Sequence, residues 1–405
     1  MSRVDSKVAF IIEWLEKEEY FAELCRRHGV SRQTGYTIVK RYEKESWAGL
    51  EEKSRAPRSR PGAMEEAVKR ELIGLRVAHP GWGPRKLKAR LEALWEAAGA
   101  VMRVPAASTI GEMLDREGLI HRRRRKPVES CRAEAAGLPE PVEVNQTWGI
   151  DYKGWFRTGD GKRCEPLTMN ESVSRKLLRL VAMERIDGVR VRAVMESAFR
   201  EYGLPDAMRS DGGVPFASNA PGGLSELSVW WIRLGIRHER IAPGKPCQNG
   251  RLERFHLSLI RESLDHRVGH DLAAQARIFA RYRVEFNRDR PHQALGMRTP
   301  DSIWRPSARP YPSKLPAIEY GAGYQTRIVN NQGCFAWQGA RVPVSPVLAG
   351  EPVGLREIDD DVYEVQFGPV HLGMLDGRTR RFVNAAKADR IARATESAAA
   401  PAAPR

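Results

Sequence analysis

The stretch that most constrains this chain is residues 209–256. It runs from Arg209-Ser210-Asp211-Gly212-Gly213-Val214-Pro215-Phe216 to Pro243-Gly244-Lys245-Pro246-Cys247-Gln248-Asn249-Gly250-Arg251-Leu252-Glu253-Arg254. The residues ahead of Asp211 read as a short strand that emerges into a glycine turn. Glu253 falls just inside a helix that starts near Gln248 and Asn249 and runs on through Phe255, Leu259 and Leu264. One carboxylate at a strand tip and another one turn into a helix can converge on a hard cation such as Mg²⁺. An acid in a Gly-rich turn also serves as a plain solvated turn residue, so the metal reading needs a third acid upstream on a strand.

That acid is Asp151. Asn145-Gln146-Thr147-Trp148-Gly149-Ile150-Asp151-Tyr152-Lys153-Gly154 has strand character, with Asp151 in its middle. Two more strands are expected at 166–169 and 177–183, separated by turn-like Asn170-Glu171-Ser172. A helix follows at 189–199, a fourth strand at 207–211, a helix at 227–234 and a fifth strand at 236–240. Three consecutive strands and then helix–strand alternation give an α/β sheet flanked by helices, in which Asp151 and Asp211 can be neighbours. Three gathered carboxylates repel one another, and a pair of divalent ions relieves that. Two metals suit in-line displacement at phosphorus.

The charge balance agrees with such a substrate. The 405 residues carry 67 Lys and Arg against 51 Asp and Glu, a net charge of +16. This excess favours a polyanionic partner, nucleic acid before anionic membrane. No run of eighteen apolar residues is present, so no membrane span is expected, and the first residues show no signal-peptide core. The five cysteines are scattered, with no CxxC pairing, which argues against a disulfide framework or a zinc site and fits a reducing cytoplasm.

Residues 1–50 read as a three-helix DNA-binding unit. Val8, Phe10, Ile11, Trp14 and Leu15 recur at helical spacing, residues 21–28 form a second helix, and Gly29-Val30-Ser31 is a tight turn with Ser31 placed to cap the next helix. That third helix exposes Arg32, Gln33 and Thr34 at its start, the pattern of a helix-turn-helix entering a major groove. Residues 51–62 form a basic Pro/Gly linker that could follow a phosphate backbone or be merely solvated. Residues 63–127 repeat the theme. Their last helix opens near residues 104–110, with Pro105 in its first turn and Ser108 and Thr109 at the groove-facing end. His121-Arg122-Arg123-Arg124-Arg125-Lys126 is a cationic run that would touch phosphates, and 128–142 is a connector. Up to residue 130 there are 27 Lys and Arg against 19 Asp and Glu, so half of the excess charge lies in the first third. Lys245, just ahead of the Glu253 helix, is also placed to meet phosphate. His256, one turn after Glu253, could approach a metal or a scissile phosphate, and fits a structural histidine equally well. From about 310 to 385, short alternating runs separated by Asn/Gly and Asp turns read as a small antiparallel barrel. The Ala/Pro-rich residues 386–405 show no core-forming pattern and are expected to be disordered.

Several of these segments resemble the integrase-core transposases of bacterial insertion sequences, relatives of retroviral integrases. The segments are Thr147-Trp148-Gly149-Ile150-Asp151, Ser210-Asp211-Gly212-Gly213-Val214-Pro215-Phe216, Asn249-Gly250-Arg251-Leu252-Glu253-Arg254 and Phe286-Asn287-Arg288-Asp289-Arg290-Pro291-His292. The resemblance covers nearly the whole chain. It implies an α/β RNase H-like catalytic core over 143–305, preceded by all-α tandem helix-turn-helix domains and followed by a small all-β SH3-like barrel. It also implies an Asp-Asp-Glu triad at Asp151, Asp211 and Glu253, which would bind two Mg²⁺ ions, with Mn²⁺ able to substitute. The expected activity is metal-dependent cleavage and strand transfer on double-stranded DNA, both element terminal inverted repeats and target. The assembly would be at least a dimer in a bacterial cytoplasm, associated with the nucleoid when bound to DNA, with no membrane and no nucleotide cofactor. Two positions depart from the family pattern. Gly212 follows the second Asp where Asn is common. Ile260 stands seven residues after the Glu where Lys or Arg is common, with Arg261 next to it. A catalytically inactive, transposase-derived DNA-binding regulator is the alternative.

Overall fold

The computed structural model describes residues 3–52, 64–100, 103–120, 137–242 and 245–385. Most of the basic linker, the cationic run with Arg122, Arg123 and Arg124, and the residues from 386 onward lie outside the described residues. The chain divides into two compact units, Met1–Met64 and Glu65–Arg405.

The first unit is three helices, α1 (Arg3–Glu16), α2 (Phe21–Arg27) and α3 (Arg32–Glu45). Phe10, Ile11, Leu24, Cys25, Ile38, Val39 and Leu50 form its core. Ser31 caps α3 as its position suggests, its Oγ accepting the Thr34 N–H at 3.2 Å. Gly35 sits mid-helix because α2 crosses there: a Cβ would stand 2.6 Å from the Cys25 sulfur.

The second unit begins with α4 (Glu66–Ala78), α5 (Pro84–Ala97) and α6 (Ala107–Arg116). Leu72, Trp82, Leu87, Leu91 and Ile110 are fully buried among them. Pro105 lies ahead of α6 rather than in its first turn, since Ala106 is the N-cap. These helices are clamped to the rest of the unit by ion pairs, Lys86 with Glu262 and Arg90 with Asp289, and by His79 Nδ1 lying 2.8 Å from the Glu285 carboxylate.

The sheet that follows comprises β1 (Thr147–Tyr152), β2 (Phe156–Arg157), β3 (Arg163–Glu171), β4 (Leu177–Met183), β5 (Ala207–Ser210) and β6 (Arg237–Arg240). Its order is β2-β3-β1-β5-β6, with β4 on β3. The first long strands pair antiparallel, whereas β1–β5 and β5–β6 are parallel. β3 runs farther than the turn expected at Asn170-Glu171-Ser172. Glu171 is fully buried there, and its carboxylate accepts the N–H groups of Asn145, Val173 and Ser174. Donors that satisfy a buried acid let a polar residue end a core strand.

Helices α7 (Gly188–Tyr202) and α8 (Glu226–Arg233) cover one face, packing on Trp148, Ile150, Leu167 and Met208. Helices α9 (Gly250–Leu259) and α10 (Leu272–Arg288) cover the other, packing on Leu177, Leu180 and Ala182. Side chains alternate along β1, so Trp148 and Ile150 face α7 and α8 while Gly149 and Asp151 face α9. At Gly149 a Cβ would stand 2.8 Å from Leu252. The missing side chain admits α9 close over β1, and Asp151 is the next residue on that face.

The C-terminal region carries β7 (Tyr324–Ile328), β8 (Cys334–Trp337), β9 (Ala340–Pro343), β10 (Pro352–Asp359), β11 (Val362–Phe367), β12 (Val370–Asp376) and β13 (Arg381–Asn384). A closed SH3-like barrel is not formed. The strands make an open five-stranded sheet in the order β13-β12-β11-β10-β7, with β8 and β9 as a separate hairpin. No ladder joins β13 to β7, and a shared core of Val329, Phe335, Trp337, Leu355 and Phe367 replaces closure. Leu224 and Val229, from the segment after Asp211, belong to that same core, and Gly222 lies against Val370. Arg233 adds a contact in which its Nη1 donates to both carboxylate oxygens of Glu351 at 2.9 Å.

Candidate active site

The parallel pairing of β1 and β5 brings Asp151 and Asp211 to the same end of the sheet, and α9 lays Glu253 over that end. Asp151 is the most enclosed of the three. Its Oδ1 accepts the Tyr152 N–H at 2.8 Å, and its Oδ2 accepts from the Asn249 amide at 2.9 Å. Burial, then the charge of Asp211, and further the charge of Glu253, push its carboxyl up to about 7, against the pull of these hydrogen bonds. The anion is thus costly in the free protein. Asp211 and Glu253 are exposed. The Asp211 Oδ1 accepts the Gly213 N–H at 3.2 Å. Glu253 occupies the first turn of α9, where the helix dipole favours an acid.

Among the described residues no three His, Cys, Asp or Glu side chains are gathered tightly enough to hold a metal. The donor set nevertheless fits a hard divalent cation. It is all carboxylate oxygen, burial and the charges of its two neighbours raise its inner member, and the two outer members are exposed.

Each Asp is held from behind by the same device. Thr168, opposite Asp151 across the β1–β3 ladder, donates its hydroxyl to the Asp151 carbonyl at 2.9 Å, and His256 Nε2 lies 2.8 Å from that hydroxyl oxygen. Ser210 donates to the Asp211 carbonyl at 3.0 Å, and His238 Nε2 lies 2.9 Å from its oxygen. Each hydroxyl has one proton, committed to the carbonyl, so each histidine donates from Nε2. Burial lowers both histidines to about 4, helped by Arg240 at His238 and Lys153 at His256. Both are therefore neutral near pH 7. Of the two readings of His256, the structure supports the structural one. Thr168 and His238 carry no signal that would single them out as site residues, because their partners come from distant strands. Asn249 and Ser210 lie in the stretch 209–256, but nothing local pairs them with Asp151 and His238.

Behind Glu253, α9 widens into a π turn over Ile260–Leu264, with the Asp265 N–H reaching Ile260 O at 2.8 Å. Arg261 is exposed on this turn. Glu262 points inward, where Arg290 grips it through two bonds of 2.7 Å and also reaches Ser258. Lys245 is exposed just ahead of the 3-10 turn Pro246–Asn249.

In the first unit, Arg32, Gln33 and Thr34 are exposed at the start of α3, but the Thr34 hydroxyl is engaged with Ser31 at 2.9 Å. The outward face of α3 continues through Tyr36, Thr37, Lys40 and Lys44, which line a groove of about 550 Å³. This stripe of exposed residues extends beyond the Arg32, Gln33 and Thr34 expected from sequence, at the same helical spacing. Ser108 and Thr109 are exposed at the start of α6.

Comparison with known proteins finds similarity over these same segments. Two integrase core domain families match residues 141–246 and 234–300. A helix-turn-helix domain family matches 7–58, and a homeodomain-like family matches 34–114. The uncharacterized 31.7 kDa protein of insertion element IS407 from Burkholderia multivorans is 28% identical over 60% of this chain and 83% of its own length. The uncharacterized 39.2 kDa protein of insertion element IS476 from Xanthomonas euvesicatoria is 24% identical over 78% of this chain and 82% of its own length. The catalytic core of HTLV-2 integrase, solved with magnesium, aligns over 40% of this chain and 99% of that one, at 14% identity and a TM-score of 0.32, too low to carry an argument.

Proposed function

We propose that this chain is an insertion-sequence transposase with an integrase-type core, with Asp151, Asp211 and Glu253 as its catalytic acids. The observation that carries the assignment is the parallel β1–β5 register, which sets Asp151 and Asp211 at one end of the sheet beside the first turn of α9 with Glu253. An enclosed acid destabilised by two exposed ones is a site waiting for a divalent cation. Mg²⁺, with Mn²⁺ as substitute and two ions per site, would be held by these three carboxylates. When bound, the ions supply Lewis-acid assistance to an in-line displacement at phosphorus.

The protein's own part is positioning. The two hydroxyl–histidine pairs fix the backbone of Asp151 and Asp211, and Asn249 orients the inner carboxylate. The exposed cations Lys245 and Arg261 lie on the segments flanking Glu253 and would meet DNA phosphates. In the first step water attacks the phosphodiester at an element end, and the strand leaves with a 3′-OH. In the second that 3′-OH attacks a target phosphodiester, forming one P–O bond as another breaks. No side chain becomes the nucleophile and no nucleotide is consumed. The exposed starts of α3 and α6, with Arg32, Gln33, Ser108 and Thr109, would read the terminal inverted repeats. The run Arg122, Arg123, Arg124 would meet phosphates. Joining two ends calls for at least a dimer.

The test is cleavage and joining of labelled element ends with Mg²⁺ or Mn²⁺, wild type beside Glu253→Gln. Loss of joined product in the variant, with end binding intact, is expected. End binding without cleavage by either protein would instead leave a DNA-binding regulator.

A further inference from the structure

Four residues past Asp151, the chain bulges between β1 and β2, and Trp155 stands at the bulge with 53% of its surface exposed. Two guanidinium groups flank its ring. Arg163 lies 5.0 Å and Arg157 5.9 Å from the centroid. Neither arginine is loose. Arg157 donates to the Gly161 carbonyl at 2.7 Å, and Arg163 donates through Nε to Glu165 at 2.8 Å while its side chain stays 54% exposed. Beside it, Lys162, Arg163, Arg185 and Arg190 line a cavity of about 640 Å³ together with Glu184 and Asp187. Asp187 is already engaged, accepting the N–H groups of Val189 and Arg190 at the start of α7.

The topology puts this patch at the catalytic edge. Antiparallel pairing makes the start of β3 and the end of β4 lie at the same end of the sheet as the exit of β1, where Asp151 stands. The start of α7 also meets the loop after Asp211, a Cβ at Gly188 standing 3.6 Å from Pro215.

We propose that Trp155, with Arg157 and Arg163, is a stacking platform for an unpaired DNA base next to the reacting phosphate. In duplex DNA both faces of a base are covered by its neighbours, so a wide exposed indole finds a partner only where the strand is frayed or cut. Every base offers a π face, while the clustered cations take the adjoining phosphates. The tethered arginines lose little freedom on binding, which favours a platform over a flexible basic fringe. This rests on the transposase reading, because only a DNA-processing site would place free strand ends at that edge.

The experiment compares equilibrium binding of a blunt duplex with the same duplex bearing a thymidine tail of about six nucleotides that contains one 2-aminopurine. Wild type, Trp155→Ala and Trp155→Phe are measured in the full-length chain. Wild type is expected to prefer the tailed probe and to quench the 2-aminopurine. Trp155→Ala should lose about tenfold on the tailed probe alone, with the quench. Trp155→Phe should keep most of both, and blunt-duplex affinity should be the same in all three. Equal losses on both probes, an unchanged Trp155→Ala, or no tail preference in wild type would each overturn the platform while leaving the transposase reading standing. Absence of binding to any DNA by wild type would overturn both.

Discussion

Asp151 and the buried histidines pull the free protein's stability in opposite directions as pH changes. The Asp151 carboxyl titrates near 7 in the fold and near 3.8 when unfolded. Between those values the native state holds the extra proton, so stability falls as pH rises, by up to about 4 kcal/mol. His238 and His256, lowered to about 4, and His292, lowered by burial and Arg290 to about 3, do the reverse. Their unfolded forms take up protons first, so stability is lost as pH falls below about 6.5. Three histidines outweigh one carboxyl, so denaturant melts of metal-free protein should show stability falling toward acid below about pH 6.5, and Asp151→Asn should steepen that loss. Added Mg²⁺ should stabilise wild type most above pH 7 and leave Asp151→Asn unmoved. A profile unchanged by Asp151→Asn would remove the argument for a strained inner acid.

At the scale of elements, the His256–Thr168–Asp151 chain ties α9 to β3 and β1 at one point. Thr168→Val removes the hydroxyl and keeps the shape. It should cost about 1–3 kcal/mol of stability, since the Asp151 carbonyl and the His256 N–H both lose a partner in a buried place. It should also lower the rate of end cleavage with little change in end affinity, and equal loss of affinity and rate would argue against a positioning role. How much of this was legible beforehand depends on range. The strand around Asp151 and the helix around Glu253 follow from local spacing and turn residues, and both are present. The π turn was not legible, because Ile260-Arg261-Glu262-Ser263-Leu264 has ordinary helical spacing. What accompanies the wider turn is the grip of Arg290 on Glu262, made from a segment twenty-eight residues away. β3 outruns its expected end for a similar reason. Glu171 reads as a turn residue until the backbone donors that satisfy it are assembled. In the C-terminal region the strands were legible and the barrel was not, since closure depends on whether the first and last strands meet.

Over the whole molecule, the second unit is a chain of clamped parts. Helices α4–α6 are fastened to the layer of α9 and α10 by ion pairs, and the C-terminal sheet is fastened to α8 and the segment before it. Arg290, Glu262 and Lys86 form the innermost of these clamps. The Arg290 and Glu262 side chains are only 8% and 7% exposed, so neither charge can be left without the other at small cost. Removing the C-terminal sheet should be as disruptive. A chain ending near residue 310 would uncover Leu224, Val229 and Ile232, and it should aggregate or self-associate in size-exclusion chromatography. A monodisperse truncated chain would show that the docking is dispensable. The segment that receives the sheet, residues 218–225, lies in the interval between the second and third acids. The same few residues are a spacer along the chain and a foundation beneath its last strands. Shortening that interval would therefore take away the ground on which the C-terminal region stands, so the distance between two acids and the presence of a far-off sheet are bound into one architectural choice.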